Sequence, residues 1–80
     1  MSVIKVIAPR LNSNDDQIEL VEIIVNEGEK FNEGDILFVV ESSKAAQEIR
    51  ADNPGLVNKY FFSLGDMIDV GSTICEIIII

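Results

Sequence analysis

Eighty residues suffice for one small domain, residues 1–80, and a chain of this size buries only about 60% of the surface it exposes when unfolded, so its core must be compact. Fourteen acidic against six basic residues give a formal charge of −8, which repels phosphate backbones and anionic lipid; no nucleic acid and no membrane partner is expected, and a basic protein surface is favoured. Hydrophobic residues form 48% of the chain and charged residues 25%, a folded rather than a disordered composition.

The first β-rich run, Val3 to Ile7, lies in MSVIKVIAPR, which lacks the long apolar stretch of a secretory signal. No stretch reaches the length of a membrane span, so the expected location is cytoplasmic. Next comes RLNSNDDQ, Arg10 to Gln17, the one long polar connection; it is expected on the surface as a mobile loop and is a candidate recognition loop. Further runs of β-branched and aromatic residues follow at Ile18 to Val25, Ile36 to Glu41, Ala45 to Ala51, Leu56 to Phe62 and Thr73 to Ile80. None has a helical period, so the fold class is all-β. The single cysteine, Cys75, sits in TICEIIII, where a buried inert thiol is expected, no intrachain disulfide is possible, and a reducing compartment is favoured. The terminal EIIII is too short to cross a bilayer and hazardous as a free edge, so it is expected to be paired inside a sheet.

Two glycine segments, NEGEKFNEGD and SLGDMIDVGS, separate these runs and match each other. Gly28, Glu29, Phe31 and Gly34 recur as Gly65, Asp66, Ile68 and Gly71, each 37 residues on, as Gly28 is from Gly65. The flanks IELVEIIV and GLVNKYFF agree in character as well. The repeat implies two similar halves that bury their apolar faces against each other around an approximate twofold axis.

The stretch VVESSKAAQEIRAD closes a predicted hairpin without glycine or proline. Beyond the turn, Ala45, Gln47, Ile49 and Ala51 share one face and Ala46, Glu48 and Arg50 the other, which fixes the register. Ser43 and Lys44 are the expected central residues of the turn, and neither suits positive φ, so a type I turn fits better than the glycine-dependent forms. The Ser42 hydroxyl can support it by bonding to the backbone. A hairpin selected only for stability more often uses Asn-Gly or Asp-Gly, so this turn is read as presenting a side chain: the primary amine of Lys44, between the small residues Ser43 and Ala45. Solvated surface charge is the bland alternative.

The same stretch carries a resemblance. ESSKAAQEIRADNPGLV followed by LGDMIDVGSTICEI resembles the lipoyl and biotinyl attachment-domain family over nearly the whole chain. The lipoyl signature of Glu, a small polar residue, Asp or Ser, and then Lys-Ala is met by Glu41, Ser42, Ser43, Lys44 and Ala45. The resemblance implies that Lys44 is a covalent attachment site and that Glu41, Ser43 and Ala45 serve recognition by a ligase. Biotinyl members flank the lysine with methionines, whereas here the neighbours are Ser43 and Ala45, so lipoate is favoured over biotin. Three positions depart from the family pattern: Ser43 for the aspartate before the lysine, Gln47 for a valine three residues after it, and Ile18 for a glycine at the start of the second strand. ESSKAA is also similar to the glycine-cleavage hydrogen-carrier protein, another lipoyl bearer.

The implied fold is a flattened β-barrel of two antiparallel sheets with a pseudo-twofold axis, a barrel-sandwich hybrid, with the lysine at one end, the termini at the other and the 10–17 loop near the lysine. The implied function is a swinging-arm carrier that shuttles acyl groups, loaded by a lipoate-protein ligase or lipoyl transferase and serving partners of the 2-oxo acid dehydrogenase or acyltransferase type. Alternatives are an unmodified docking module of a larger acyltransferase and a biotin carrier for a carboxylase. An enzyme is not expected: the chain has no histidine and no metal-ligand spacing, and a Ser-Lys dyad in a turn tip lacks the desolvation that would lower a lysine pKa. Neither catalytic nor metal-binding residues are therefore assigned.

Overall fold

The β-rich runs become the long strands of an all-β computed structural model that describes residues 2–80. The order is β1 (Ser2–Ile7), β2 (Gln17–Ile23), β3 (Lys30–Phe31), β4 (Ile36–Glu41), β5 (Ala46–Arg50), β6 (Gly55–Tyr60), β7 (Met67–Asp69) and β8 (Thr73–Ile79). Two four-stranded antiparallel sheets result, β1-β8-β6-β3 and β5-β4-β2-β7, packed as a flattened barrel. Among the described residues no helix is long and apolar enough to cross a membrane.

The twofold repeat is exact in topology, because exchanging the halves turns one strand order into the other. Its hydrogen bonds also correspond between the halves. Gly28 N donates to Val57 O at 2.7 Å as Gly65 N donates to Leu20 O at 2.8 Å, and Gly34 N to Ala51 O as Gly71 N to Ala8 O. The acid after each first glycine closes its own corner: Glu29 Oε1 accepts from Asn26 N at 2.7 Å, and Asp66 Oδ2 from Ser63 N at 2.8 Å. All four repeated glycines have φ between 84° and 94°, a region that side chains with a Cβ rarely enter.

Strand alternation sends one face of each sheet inward. Ile18, Leu20, Leu37, Phe38, Val40, Val57, Ile68, Ile74 and Cys75 are fully buried between the sheets, and no polar or charged residue among those described is buried with them. Phe38 meets Tyr60 edge to face, with ring centroids 6.0 Å apart. The Tyr60 hydroxyl reaches out of the core to donate to Val25 O at 2.7 Å. β8 lies between β1 and β6, so the isoleucine run is an internal strand as expected.

The structure corrects several boundaries. The second run ends as a strand at Ile23, because Ile24 N and Val25 N both turn to Leu37 O. The fifth, Leu56 to Phe62, begins as a strand at Gly55 and ends at Tyr60. The short strands β3 and β7 lie inside the glycine segments, where too few residues pair to leave an alternating pattern.

Cys75 is buried as expected, and burial pushes its thiol up to about 12 from 9.0. Burial likewise raises Tyr60, with smaller contributions from Cys75 and nearby glutamates. Raised folded-state values mean that stability is intact below the unfolded pKa of each group and is lost as pH climbs toward the folded one. Resistance to urea is therefore expected to be flat from neutrality to about pH 8 and to weaken steadily toward about pH 11. Native protein should also resist alkylation by iodoacetamide at Cys75 until urea unfolds it.

Candidate functional site

β4 and β5 pair from Ile36↔Arg50 up to Glu41↔Ala46, and Ser42 N then donates to Ala45 O at 2.7 Å, leaving Ser43 and Lys44 as the two central residues of the turn. No described non-glycine residue has positive φ, which excludes the I′ and II′ forms here. Ser43 and Lys44 are exposed and Ala45 half-buried. Among the described residues Lys44 takes part in no ion pair, the two that exist being Arg10–Asp16 and Arg50–Glu48. The turn therefore carries a primary amine into solvent, between small neighbours, with no carboxylate holding it down.

The Ser42 hydroxyl is half-buried and sits at the centre of the turn's bonding. It accepts from Lys44 N at 3.4 Å and from Asn12 Nδ2 at 3.1 Å, and it donates to Ala45 O at 3.4 Å. The 10–17 loop thus lies against the lysine turn, and it is organised rather than featureless. Asn12 N and Nδ2 both donate to Asp15 Oδ2, Asp15 N returns to Asn12 O, Arg10 donates to Asp15 O, and Leu11 packs against the core. A polar loop satisfies itself in this way when Asn and Asp side chains cap its own backbone.

β1 runs toward this end of the barrel and β8 away from it, so the paired Ser2 and Ile79 lie at the opposite end of a molecule 36 Å long.

The internal symmetry also provides a reference for the surface around the turn. On the outer face of the Lys44 sheet, Glu19, Glu41 and Ala46 form one cross-strand row and Glu22, Val39 and Glu48 the next. The equivalent rows on the other sheet are Leu56, Ile78 and Val3, then Lys59, Glu76 and Lys5. Two carboxylates directly opposite each other, Glu19 and Glu41, are unfavourable in a sheet. The fold does not require them, since the same position in the other half is an apolar pair. Four of the acidic residues, Glu19, Glu22, Glu41 and Glu48, thus share the outer face of the sheet that ends in the lysine turn. Of the residues singled out in the sequence, Glu41, Ser43, Lys44 and Ala45 come together at one tip. Asn12, Glu19, Glu22 and Glu48 join them through pairings that local spacing does not reveal.

Comparison with known proteins identifies the family. The family model described as "Biotin-requiring enzyme", Biotin_lipoyl, matches residues 5–77. A homologue of the biotinylated protein TB7.3 from Mycobacterium leprae is 36% identical over 58 residues, covering 72% of this chain and 82% of that protein. The dihydrolipoyllysine-residue acetyltransferase component of the pyruvate dehydrogenase complex from Buchnera aphidicola is 36% identical over 59 residues, covering 74% of this chain but 14% of its own length.

Proposed function

Given that this chain belongs to the biotin/lipoyl attachment family, matched from residue 5 to residue 77, we propose that it is a lipoyl carrier domain whose attachment point is Lys44. The observation that carries the reading is the exposed amine of Lys44 at the tip of a glycine-free two-residue turn, free of ion pairs among the described residues. Attachment through an amide at Nζ removes the lysine charge and places the cofactor at the far end of the barrel from the paired Ser2 and Ile79. Bound there, lipoate supplies a dithiolane for reductive acylation and acyl transfer, chemistry performed in the active sites of partner enzymes.

The chain's own residues present and tether. Glu41, Ser43 and Ala45 form the surface that a lipoate-protein ligase or lipoyl transferase reads, with Ser43 and Ala45 leaving room around the amine. The glutamates of the same sheet favour a modifying enzyme or dehydrogenase-type partner with a basic docking surface. Tethering keeps the acyl group at a high effective concentration near each active site.

Lipoate is favoured by the neighbours of the lysine, Ser43 and Ala45 rather than methionines, and by the dihydrolipoyllysine named in the Buchnera relative. Biotin is the second reading, favoured by the biotinylated relative from Mycobacterium leprae. Intact mass separates them. Purified protein is incubated with ATP, lipoate and a lipoate-protein ligase, and in parallel with ATP, biotin and a biotin-protein ligase. A gain of one lipoyl group in the first reaction alone is expected. A gain with biotin alone would transfer the assignment to a biotin carrier, and no gain in either would leave a docking module.

A further inference from the structure

The proposed loading of Lys44 depends on how its turn is held, and here the structure assigns a role to a residue outside the turn. We propose that Asn12, in the loop between β1 and β2, is a positioning residue for modification of Lys44, acting through the Ser42 hydroxyl. This rests on the reading of Lys44 as the attachment point.

A serine hydroxyl has one proton to donate and two lone pairs to accept with. All three are used at Ser42, for Ala45 O, Lys44 N and Asn12 Nδ2. The Asn12 bond, at 3.1 Å, is the shortest of the three and the only one from outside the turn. It joins residues 30 apart in sequence. Asn12 is itself held by Asp15, whose Oδ2 accepts from both Asn12 N and Asn12 Nδ2. The backbone N–H of the lysine is therefore connected through one hydroxyl to a loop that its own hairpin does not contain.

The remaining support for the turn is local. Without Asn12 the Ser42 hydroxyl can rotate away from Lys44 N and the two central residues gain backbone freedom, which a ligase must remove again when it binds. The lysine still projects into solvent, so its chemistry is unaltered; what changes is the fraction of turns in the conformation the ligase reads. The effect belongs to recognition, and falls on KM more than on kcat.

Asn12 does not hold the barrel together. It is half-buried, bonds only to groups at this end, and lies outside every strand. Asn12→Ala should therefore keep the thermal unfolding midpoint close to that of the unaltered protein. Asn12→Asp is a sharper probe of the same contact: a carboxylate cannot donate to Ser42, and it faces the carboxylate of Asp15.

The test is a double-mutant cycle read by initial rates of lipoyl mass gain with lipoate, ATP and a lipoate-protein ligase, using the whole 80-residue chain. Asn12→Ala is expected to lower kcat/KM about fivefold, the factor set by one hydrogen bond of ordinary net strength, mainly by raising KM, and Ser42→Ala, which removes all three bonds of the hydroxyl, by at least as much. The double variant should be no slower than the worse single one, because both remove the same contact. Asn12→Asp should be at least as slow as Asn12→Ala. Independent multiplicative losses, a loss confined to kcat, or an unchanged rate in Asn12→Ala would each overturn the role of Asn12. If the unaltered protein is not lipoylated, the underlying reading of Lys44 fails instead. In that event amide hydrogen exchange at Lys44 still decides the contact: faster exchange in Asn12→Ala supports it, and unchanged exchange rejects it.

Discussion

Replacing Lys44 by arginine is expected to abolish cofactor loading completely while leaving the barrel intact. Arginine keeps the positive charge and the long stem, so electrostatic attraction to an acidic-site or basic-site enzyme is altered little. Its guanidinium stays protonated at any accessible pH and offers no free amine to acylate. The fold has no stake in the substitution, because the Lys44 side chain is exposed and its one described hydrogen bond is made by the backbone N–H to Ser42. Surface changes of this kind stay within about 0.5 kcal/mol, so the melting midpoint should move by no more than about 2–4 °C. Intact mass after incubation with ligase and lipoate reads the first effect and circular dichroism melting the second. Residual mass gain in Lys44→Arg would place the attachment on another of the lysines, Lys5, Lys30 or Lys59.

Gly55→Ala is expected to be the most destabilising of the glycine-to-alanine changes. Gly55 is buried at the start of β6, opposite Ile79, and its φ is not positive. Its constraint is space. A Cβ there would lie 2.3 Å from the backbone oxygen of Ile78 and 3.0 Å from Phe31 Cζ. Backbone oxygen cannot swing aside as a flexible side chain can, so β6 and β8 must separate where their ladder begins, and the Phe31 ring must give way slightly. Overpacking of this sort costs about 1–3 kcal/mol and more where the backbone is the obstacle. For a domain of this size a loss of about 3 kcal/mol lowers the melting midpoint by roughly 12–24 °C. Gly71→Ala is the control: nothing lies within 4 Å of its would-be Cβ, so it bears only the strain of its φ of 94°, about 1–2 kcal/mol. Thermal melts of the two variants should rank in that order, and equal midpoints would show that crowding at Gly55 is relieved by movement of the strands.

What could be read in the sequence was whatever chemistry repeats or punctuates. The four corner glycines stood out because a positive φ selects glycine at each of them, and 37-residue spacing made the twofold visible before any strand was paired. Lys44 stood out because Ser-Ser-Lys-Ala is an unusual way to close a hairpin. Gly55 gave no such sign. Its requirement comes from Ile78, on a strand more than twenty residues away, and a lone glycine at a strand start reads as an ordinary turn former. The same holds for Asn12: its own segment shows only a polar loop, and the partner that gives it meaning is 30 residues further on. The strands β3 and β7 were hidden because two or three paired residues carry no period. Glu19 and Glu41 were visible as acids but not as neighbours, since the bulge between Leu20 and Glu22 decides which residues of β2 face β4.

The exchange of strands between halves has a consequence for folding. Residues before the Lys44 turn supply β1 and β3 to one sheet and β2 and β4 to the other, and residues after it complete both. Neither half can bury its apolar face alone, and the pairing of Ser2 with Ile79 closes a loop of nearly all the described residues. Such a topology assembles slowly and all at once, with no stable half-built form to pause in. The turn that carries Lys44 is moreover braced by Asn12, which is held in place only when β1 and β2 have joined their separate sheets. A ligase that reads the ordered turn, as proposed for Lys44, would then act only on chains that have finished folding.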